Sequence, residues 1–157
     1  MTLYHGTNID FAQIDLSKSR RFKDFGQGFY LTDIRQQAED MALKRFIRDG
    51  GTPIVQVYEF EHNLLDNELK VMRFNKPTVE WADFIYKNRS RRYPVFKHDY
   101  DIVIGPIADD GVAYLLDRYE EGSYTIEELA KELEYKHLNN QYYFGTQKAI
   151  SFLKRIR

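Results

Sequence analysis

The sequence predicts a single domain of the mixed α+β class, and three observations carry that reading. Short runs rich in aromatic and β-branched residues stand at the start, the middle and near the end of the chain: Thr2 to His5, Ile54 to Phe60, Asp101 to Gly105 and Gln141 to Phe144. Helical segments with recognisable starts lie between them, but strands and helices do not alternate as regular βαβ units. No repeat, low-complexity tract or linker divides the 157 residues, a length that suits one hydrophobic core.

Taken in order, Thr2 to His5 reads as the first strand. Gly28 to Thr32 reads as the second, entered through a turn at Gly26 and Gly28 where side chains would obstruct. Asp33 then caps a helix from Ile34 to about Arg48, with Gln36 at the reciprocal capping-box position. Ile34, Ala38, Met41, Ala42 and Phe46 share one face of it, and Gly50-Gly51 stop it. Ile54 to Phe60 is a strand entered through Pro53, and Leu69 to Phe74 forms another. Thr78 begins a helix that carries Trp81, Ala82, Phe84 and Ile85, with Trp81 and Phe84 assigned to the core. Asp101 to Gly105 is a buried strand ended by Pro106, after which Asp109-Asp110 open a helix over Val112 to Tyr119. Thr125-Ile126-Glu127-Glu128 is a capping box for a helix through about Tyr135. Gln141 to Phe144 is the late strand, and Thr146 caps a final amphipathic helix with Ala149, Ile150 and Leu153 on one face.

Composition narrows the function classes. Hydrophobic residues make up 43% and aromatic residues 15%, with 12 Tyr and 11 Phe, which favours a packed domain over disorder. The absence of Cys excludes disulfides, a thiol nucleophile and a thiolate metal site, and fits a cytoplasmic home. Met1 to Asp10 lack the charged-then-apolar pattern of a secretion signal, and no apolar run reaches membrane-spanning length, so no membrane partner is expected. A net charge of -1 gives no global attraction to nucleic acid; any such affinity has to come from local patches. His62, His98 and His137 stand in unrelated contexts without ligand spacing, and no metal is assigned.

Two phrases near the N-terminus carry chemistry. In Leu3-Tyr4-His5-Gly6-Thr7 an extended run ends in a histidine and a glycine; in Asp24-Phe25-Gly26-Gln27-Gly28-Phe29-Tyr30-Leu31-Thr32 a glycine turn feeds an aromatic strand. Singly, each has a structural account: a strand-end histidine as a core hydrogen-bonder, a strand tyrosine as packing, a Gly-x-Gly as a tight turn. Lys18, Arg20, Arg21 and Lys23 lie between Asp15 and Asp24 with no acid among them, either an anion-binding loop or a solvated one. Lys87, Arg89, Arg91, Arg92 and Lys97, interrupted by Tyr93 and Phe96, suit a nucleic acid or an acidic partner, though a helix end running into a solvated loop is the simpler reading.

Together and at this spacing, the two phrases resemble the NAD-binding half of ADP-ribosyltransferases of the diphtheria-toxin-like group. More narrowly, they look like an uncharacterised bacterial family of that superfamily, a likeness that also takes in Ser19-Arg20, Asp101 to Pro106, and Asn140-Gln141 with the strand and helix that follow. The resemblance implies a single domain over 1–157, with two small antiparallel sheets around an NAD cleft and helices outside. It implies catalytic roles for His5, Tyr30 and a late-strand residue, for which Gln141 is the candidate. By the same resemblance His5 would bond the ribose hydroxyls, and Tyr30 would stack on nicotinamide with Phe29 or Tyr4 shaping the wall. The Gly6 backbone would pair with the carboxamide, and Thr7 and Gly28 belong to the same NAD-contacting phrases. Arg20 is the first choice for the diphosphate, ahead of Lys18 and Arg21.

Gln141 departs from the superfamily pattern, which usually has glutamate there. Glutamine accepts a hydrogen bond from a ribose hydroxyl but brings no charge to an oxocarbenium-like transition state. Glu127 and Glu128, which could compensate, already read as cap residues. The resemblance implies transfer of ADP-ribose from NAD to a macromolecular acceptor, protein or nucleic acid, with release of nicotinamide, in a toxin-like protein with an antitoxin partner. NAD hydrolysis without an acceptor, and a non-catalytic module binding NAD or ADP-ribose, stay open beside it. RNA phosphate transfer is more remote, because it asks for a stronger basic surface than Arg20 and Arg21 provide.

Overall fold

A computed structural model of the chain describes residues 1–63 and 66–157. In chain order its elements are β1 (Thr2–Thr7), β2 (Phe29–Leu31), α1 (Arg35–Asp49), β3 (Ile54–Phe60), β4 (Val71–Arg73), α2 (Val79–Arg89), β5 (Ile102–Pro106), α3 (Asp110–Glu120), α4 (Ile126–Leu133), β6 (Asn140–Phe144), α5 (Gln147–Ile150) and β7 (Leu153–Arg155), with a 3-10 turn at Leu16–Lys18. The strands form a three-stranded antiparallel sheet, β1-β3-β7, and a four-stranded sheet, β2-β6-β5-β4, in which only β4–β5 is parallel. The architecture is α+β, with two mostly antiparallel sheets and, among the described residues, five α-helices.

Side chains alternate across a strand, so each strand of the four-stranded sheet feeds two cores. One row, Phe29, Leu31, Ile102, Ile104, Tyr142 and Phe144, meets Leu3, Tyr58 and Phe60 of the other sheet. The opposite row, Val103 and Tyr143, meets Phe25 and the apolar faces of α2, α3 and α4, through Trp81, Ile85, Val112, Leu116, Leu129 and Leu133. The caps expected at Thr78, Asp109, Thr125 and Thr146 form: each side-chain oxygen accepts a backbone N–H of the first turn.

Four local expectations are corrected. The first helix starts at Arg35, and Thr32 in place of Asp33 supports its entry: Thr32 Oγ1 accepts from the Ile34 N–H at 3.1 Å and donates to Gln37 Oε1 at 2.6 Å, while Gln36 turns to Asp40. The buried face of α1 is narrower than its apolar pattern, since Ala38 and Ala42 are buried but Ile34, Met41 and Phe46 are 39%, 46% and 39% exposed. The cause is close approach. A Cβ at Gly6 of β1 would fall on the Ala38 carbonyl oxygen, so α1 lies too near β1 for anything larger than alanine at the contact. Finally, the last helix ends at Ile150; Leu153 belongs to β7 and pairs with Phe60, closing the outer edge of β3. Leu69 to Phe74 contains strand only over Val71–Arg73, with Leu69 buried ahead of it. No helix among the described residues is long and apolar enough to cross a membrane.

Candidate functional site

The two sheets are joined by one backbone bridge. Tyr4 N–H donates to the Thr32 carbonyl at 2.8 Å, and Thr32 N–H donates to the Tyr4 carbonyl at 2.9 Å. Beyond it β1 and β2 part. Backbone groups alternate sides along a strand, so Tyr4 and Gly6 both face the β2 side, while His5 faces β3 opposite Gln56. The N–H and C=O of Gly6 therefore lie on the parting edge, where neither has a partner among the described residues. Gly6 itself is buried under α1.

His5 points between the sheets, its ring 4.4 Å from Phe29 and 5.8 Å from Phe11, centroid to centroid. Its Nδ1 lies 2.8 Å from the Tyr30 carbonyl. A carbonyl only accepts, so Nδ1 carries the proton and Nε2 is left as an acceptor. Burial lowers the His5 pKa to about 4, with the Arg45 and Lys23 charges adding to it against the Tyr30 hydrogen bond. The imidazole is neutral at pH 7.

Tyr30 hangs from the other face of β2, beside Tyr143 at 5.3 Å between ring centroids. Its hydroxyl donates to the Gly26 carbonyl at 2.6 Å and accepts from the Phe25 N–H at 3.0 Å. Burial pushes the phenol far above its ordinary range, so Tyr30 offers a fixed aromatic face and no titrating proton. Lys23 Nζ sits over that ring, 4.1 Å from its centroid. Burial, reinforced by Arg45, brings Lys23 down to about 8. Lys23 and Arg45 act on His5, and Arg20 acts on both of them from the exposed side.

Arg45 is absent from the residues the sequence singled out. Its signal is positional: Ala38, Ala42 and Arg45 fall at i, i+4 and i+7 on the face of α1 that packs against β1. The loop that delivers Lys23 bends at Phe22, whose φ of 61° is left-handed. The Phe22 ring carries Arg21 at 5.1 Å and Arg91 at 4.6 Å.

Gln141 stands two residues from Tyr143 on β6, hence on the Tyr30 face of the sheet. Its Nε2 donates to Asp24 Oδ2 at 3.1 Å and lies 3.5 Å from the Pro106 carbonyl. The other oxygen of Asp24 is gripped by Arg89, through Nε at 2.7 Å and Nη2 at 2.5 Å. Asp24 and Arg89 are both positions that sequence reasoning left unassigned to the site. The second basic stretch is the end of α2 running into an exposed loop, as the simpler reading has it, with Arg91 to Pro94 and Lys97 exposed; within it Arg89 and Arg91 turn back onto the 20–24 loop, Lys87 pairs with Asp83, and Arg92 reaches Glu120. Glu127 and Glu128 are exposed in the first turn of α4.

The remaining sequence candidates have definite places. Phe29 is buried against His5 and Tyr58. Thr7 Oγ1 donates to the Ile9 carbonyl and accepts its N–H, a local turn. Gly28 lies where a Cβ would strike the Tyr143 ring, and Arg20 is exposed. Thus His5, Lys23, Tyr30, Asp24 and Gln141 form one continuous chain of contacts around the 20–28 loop. Two open grooves of about 680 and 450 Å³ border the Gln141 end, the larger lined by Pro106, Asn139 and Lys136 among others and the smaller by Arg89, Arg92 and Glu120 among others; neither is lined by His5, Tyr30 or Gln141. Away from all of these, His62 meets Asp66 and Glu68, with ligand-type atoms within 4.8 Å of one another; His62 Nε2 lies 3.4 Å from Glu68 Oε2, and among the described residues neither buried ring nitrogen has a hydrogen-bond partner.

The chain belongs to the family described as a protein of unknown function (DUF3990), which it matches over residues 1–155. No curated protein and no solved structure matches it significantly.

Proposed function

We propose that this chain breaks the bond between nicotinamide and ribose in NAD and transfers ADP-ribose to a macromolecular acceptor. The observation that supports this best is the hydrogen bond from His5 Nδ1 to the Tyr30 carbonyl where β1 and β2 part, next to the open backbone edge of Gly6, with Lys23 and Arg45 acting on His5 and Lys23 covering the Tyr30 ring. A carboxamide presents N–H donors beside a carbonyl acceptor, and one N–H and the C=O are complemented by the C=O and N–H of Gly6. Neutral His5, with its proton fixed on Nδ1 by Tyr30, offers Nε2 to a ribose hydroxyl. The Tyr30 ring already holds a cation, Lys23, on its face; the cationic nicotinamide ring takes that place while the Lys23 ammonium moves to the diphosphate with Arg20 and Arg45.

In the reaction the carbon–nitrogen bond breaks and its electron pair leaves on nicotinamide, which departs neutral. The ribose carbon, oxocarbenium-like at the transition state, receives an electron pair from the acceptor nucleophile, whose proton passes to solvent. Gln141 Oε1 accepts the 2-prime hydroxyl. Nicotinamide release from NAD, measured with and without cell lysate, tests the reading. Release that depends on lysate and disappears in His5→Asn is expected. Release without any acceptor would make the chain a hydrolase, and absence of release and of NAD binding by calorimetry would overturn the proposal.

A further inference from the structure

We infer that the anionic charge of this site resides on Asp24, and that Asp24 positions Gln141, so that glutamine is the residue the site is built to hold. This rests on the NAD-cleaving reading above. The Gln141 amide nitrogen faces two groups that can only accept, the Asp24 carboxylate and the Pro106 carbonyl. The amide is therefore oriented, with Oε1 turned away from both and free to accept a hydroxyl. A glutamate at 141 would put a carboxylate oxygen where Nε2 now donates, 3.1 Å from Asp24 Oδ2. Two carboxylates at that separation do not both ionise comfortably. Arg89 is placed on the far side of the pair, its Nε and Nη2 both on Oδ1 of Asp24, away from the Oδ2 that would face the new carboxylate.

Asp24 is held for this purpose from outside its own loop. It is bound by a residue 65 positions away on α2 and by one 117 positions away on β6. Its charge also reaches Tyr30 and Lys23. The arrangement thus supplies one negative charge to the pocket while leaving an uncharged acceptor at the ribose. Asp24 is a positioning residue: it acts through the Gln141 amide.

The test is a swap. Gln141→Glu, Asp24→Asn and the double variant Asp24→Asn/Gln141→Glu are compared with the parent chain by thermal melting between pH 5 and pH 8 and by nicotinamide release. Gln141→Glu alone is expected to melt lower at pH 8 and to recover as the pH falls, because the crowded carboxylate pair takes up a proton whose pKa is raised in the folded state. The double variant exchanges amide and carboxylate and restores the hydrogen bond between 24 and 141 with its direction reversed, but gives up the Pro106 contact and the charge on the Arg89 pair; its pH profile is expected to be flat, with a melting temperature between those of Gln141→Glu at pH 8 and the parent. Nicotinamide release should fall at least about tenfold in either single variant and return in the double. Gln141→Glu that melts like the parent at every pH and releases nicotinamide faster would overturn the inference and make Gln141 a weakened glutamate. If the melting pattern appears but none of the four proteins releases nicotinamide, the pairing stands and the NAD reading falls.

Discussion

The two ends of the candidate site are held by different physics. His5 is fixed by burial: aromatic rings on two sides, one hydrogen bond to a backbone carbonyl, and a glycine that lets α1 press against the same strand. Gln141 is fixed by charge: its amide leans on Asp24, and Asp24 on the Arg89 fork. A packed end tolerates no added volume and excludes a proton. A charged end tolerates volume and fails when one partner is removed.

The sharpest way to break this contrast is Gly6→Ala. The added methyl meets backbone of α1, which cannot step aside without separating from β1. A loss of about 3 kcal/mol in folding stability is expected, with nicotinamide release abolished. Urea unfolding would check it; a loss below about 1 kcal/mol would show that α1 moves freely and that the His5 end is not packing-limited. The second largest effect is a pH dependence. His5 has a folded pKa of about 4 against an ordinary 6.5. Below pH 6.5 the unfolded chain takes up a proton that the folded chain refuses, so stability falls with pH until about 4, where the loss levels off. The total is on the order of 3 kcal/mol. Denaturant titrations of the parent and of His5→Gln isolate the term, because the variant lacks that slope.

The same contrast explains what was legible in the sequence. The His5 end is written locally: a strand phrase ending in His-Gly, then a glycine turn into Tyr30, each recognisable within a few residues. Strand and cap positions followed for the same reason, with Thr78, Asp109, Thr125 and Thr146 all capping as their side chains suggest. The final helix misled because Ala149, Ile150 and Leu153 fit a helical period, whereas the open edge of β3 captures Leu153 as a strand residue. Met41 and Phe46 misled because the apolar pattern of α1 cannot report how closely Gly6 draws it to β1. The Gln141 end was least legible. Asp24, Arg89 and Gln141 meet only through tertiary structure, and the arginine lay in a stretch whose charges look solvated when counted along the chain.

Arg89→Ala tests that end directly. It leaves the Asp24 carboxylate, only 15% exposed, without its cation. The expected cost is about 2 kcal/mol, below that of a fully buried pair because Arg89 is itself 34% exposed. Arg89→Lys should recover less than half, since an ammonium cannot reproduce the two-donor grip on Oδ1. A variant as stable as the parent would mean that Asp24 is adequately held by Gln141 and water, and that charge does not organise this end.

The smallest effect belongs to the residue that joins the two ends. Lys23 stands between His5 and Asp24, and burial with Arg45 has brought its pKa to about 8. In free protein it loses its charge as the pH rises through that value, while a bound diphosphate would hold the proton on. NAD affinity is therefore expected to be flat well below pH 8, to be about halved at pH 8 and to fall about tenfold by pH 9. Calorimetry across that range checks the slope, and buffers of different ionisation enthalpy check that a proton is taken up on binding. Lys23→Arg keeps its charge throughout and should bind with no such slope. An identical fall in that variant would assign the titration elsewhere and remove Lys23 from the diphosphate contact, leaving it only as the cation that covers Tyr30.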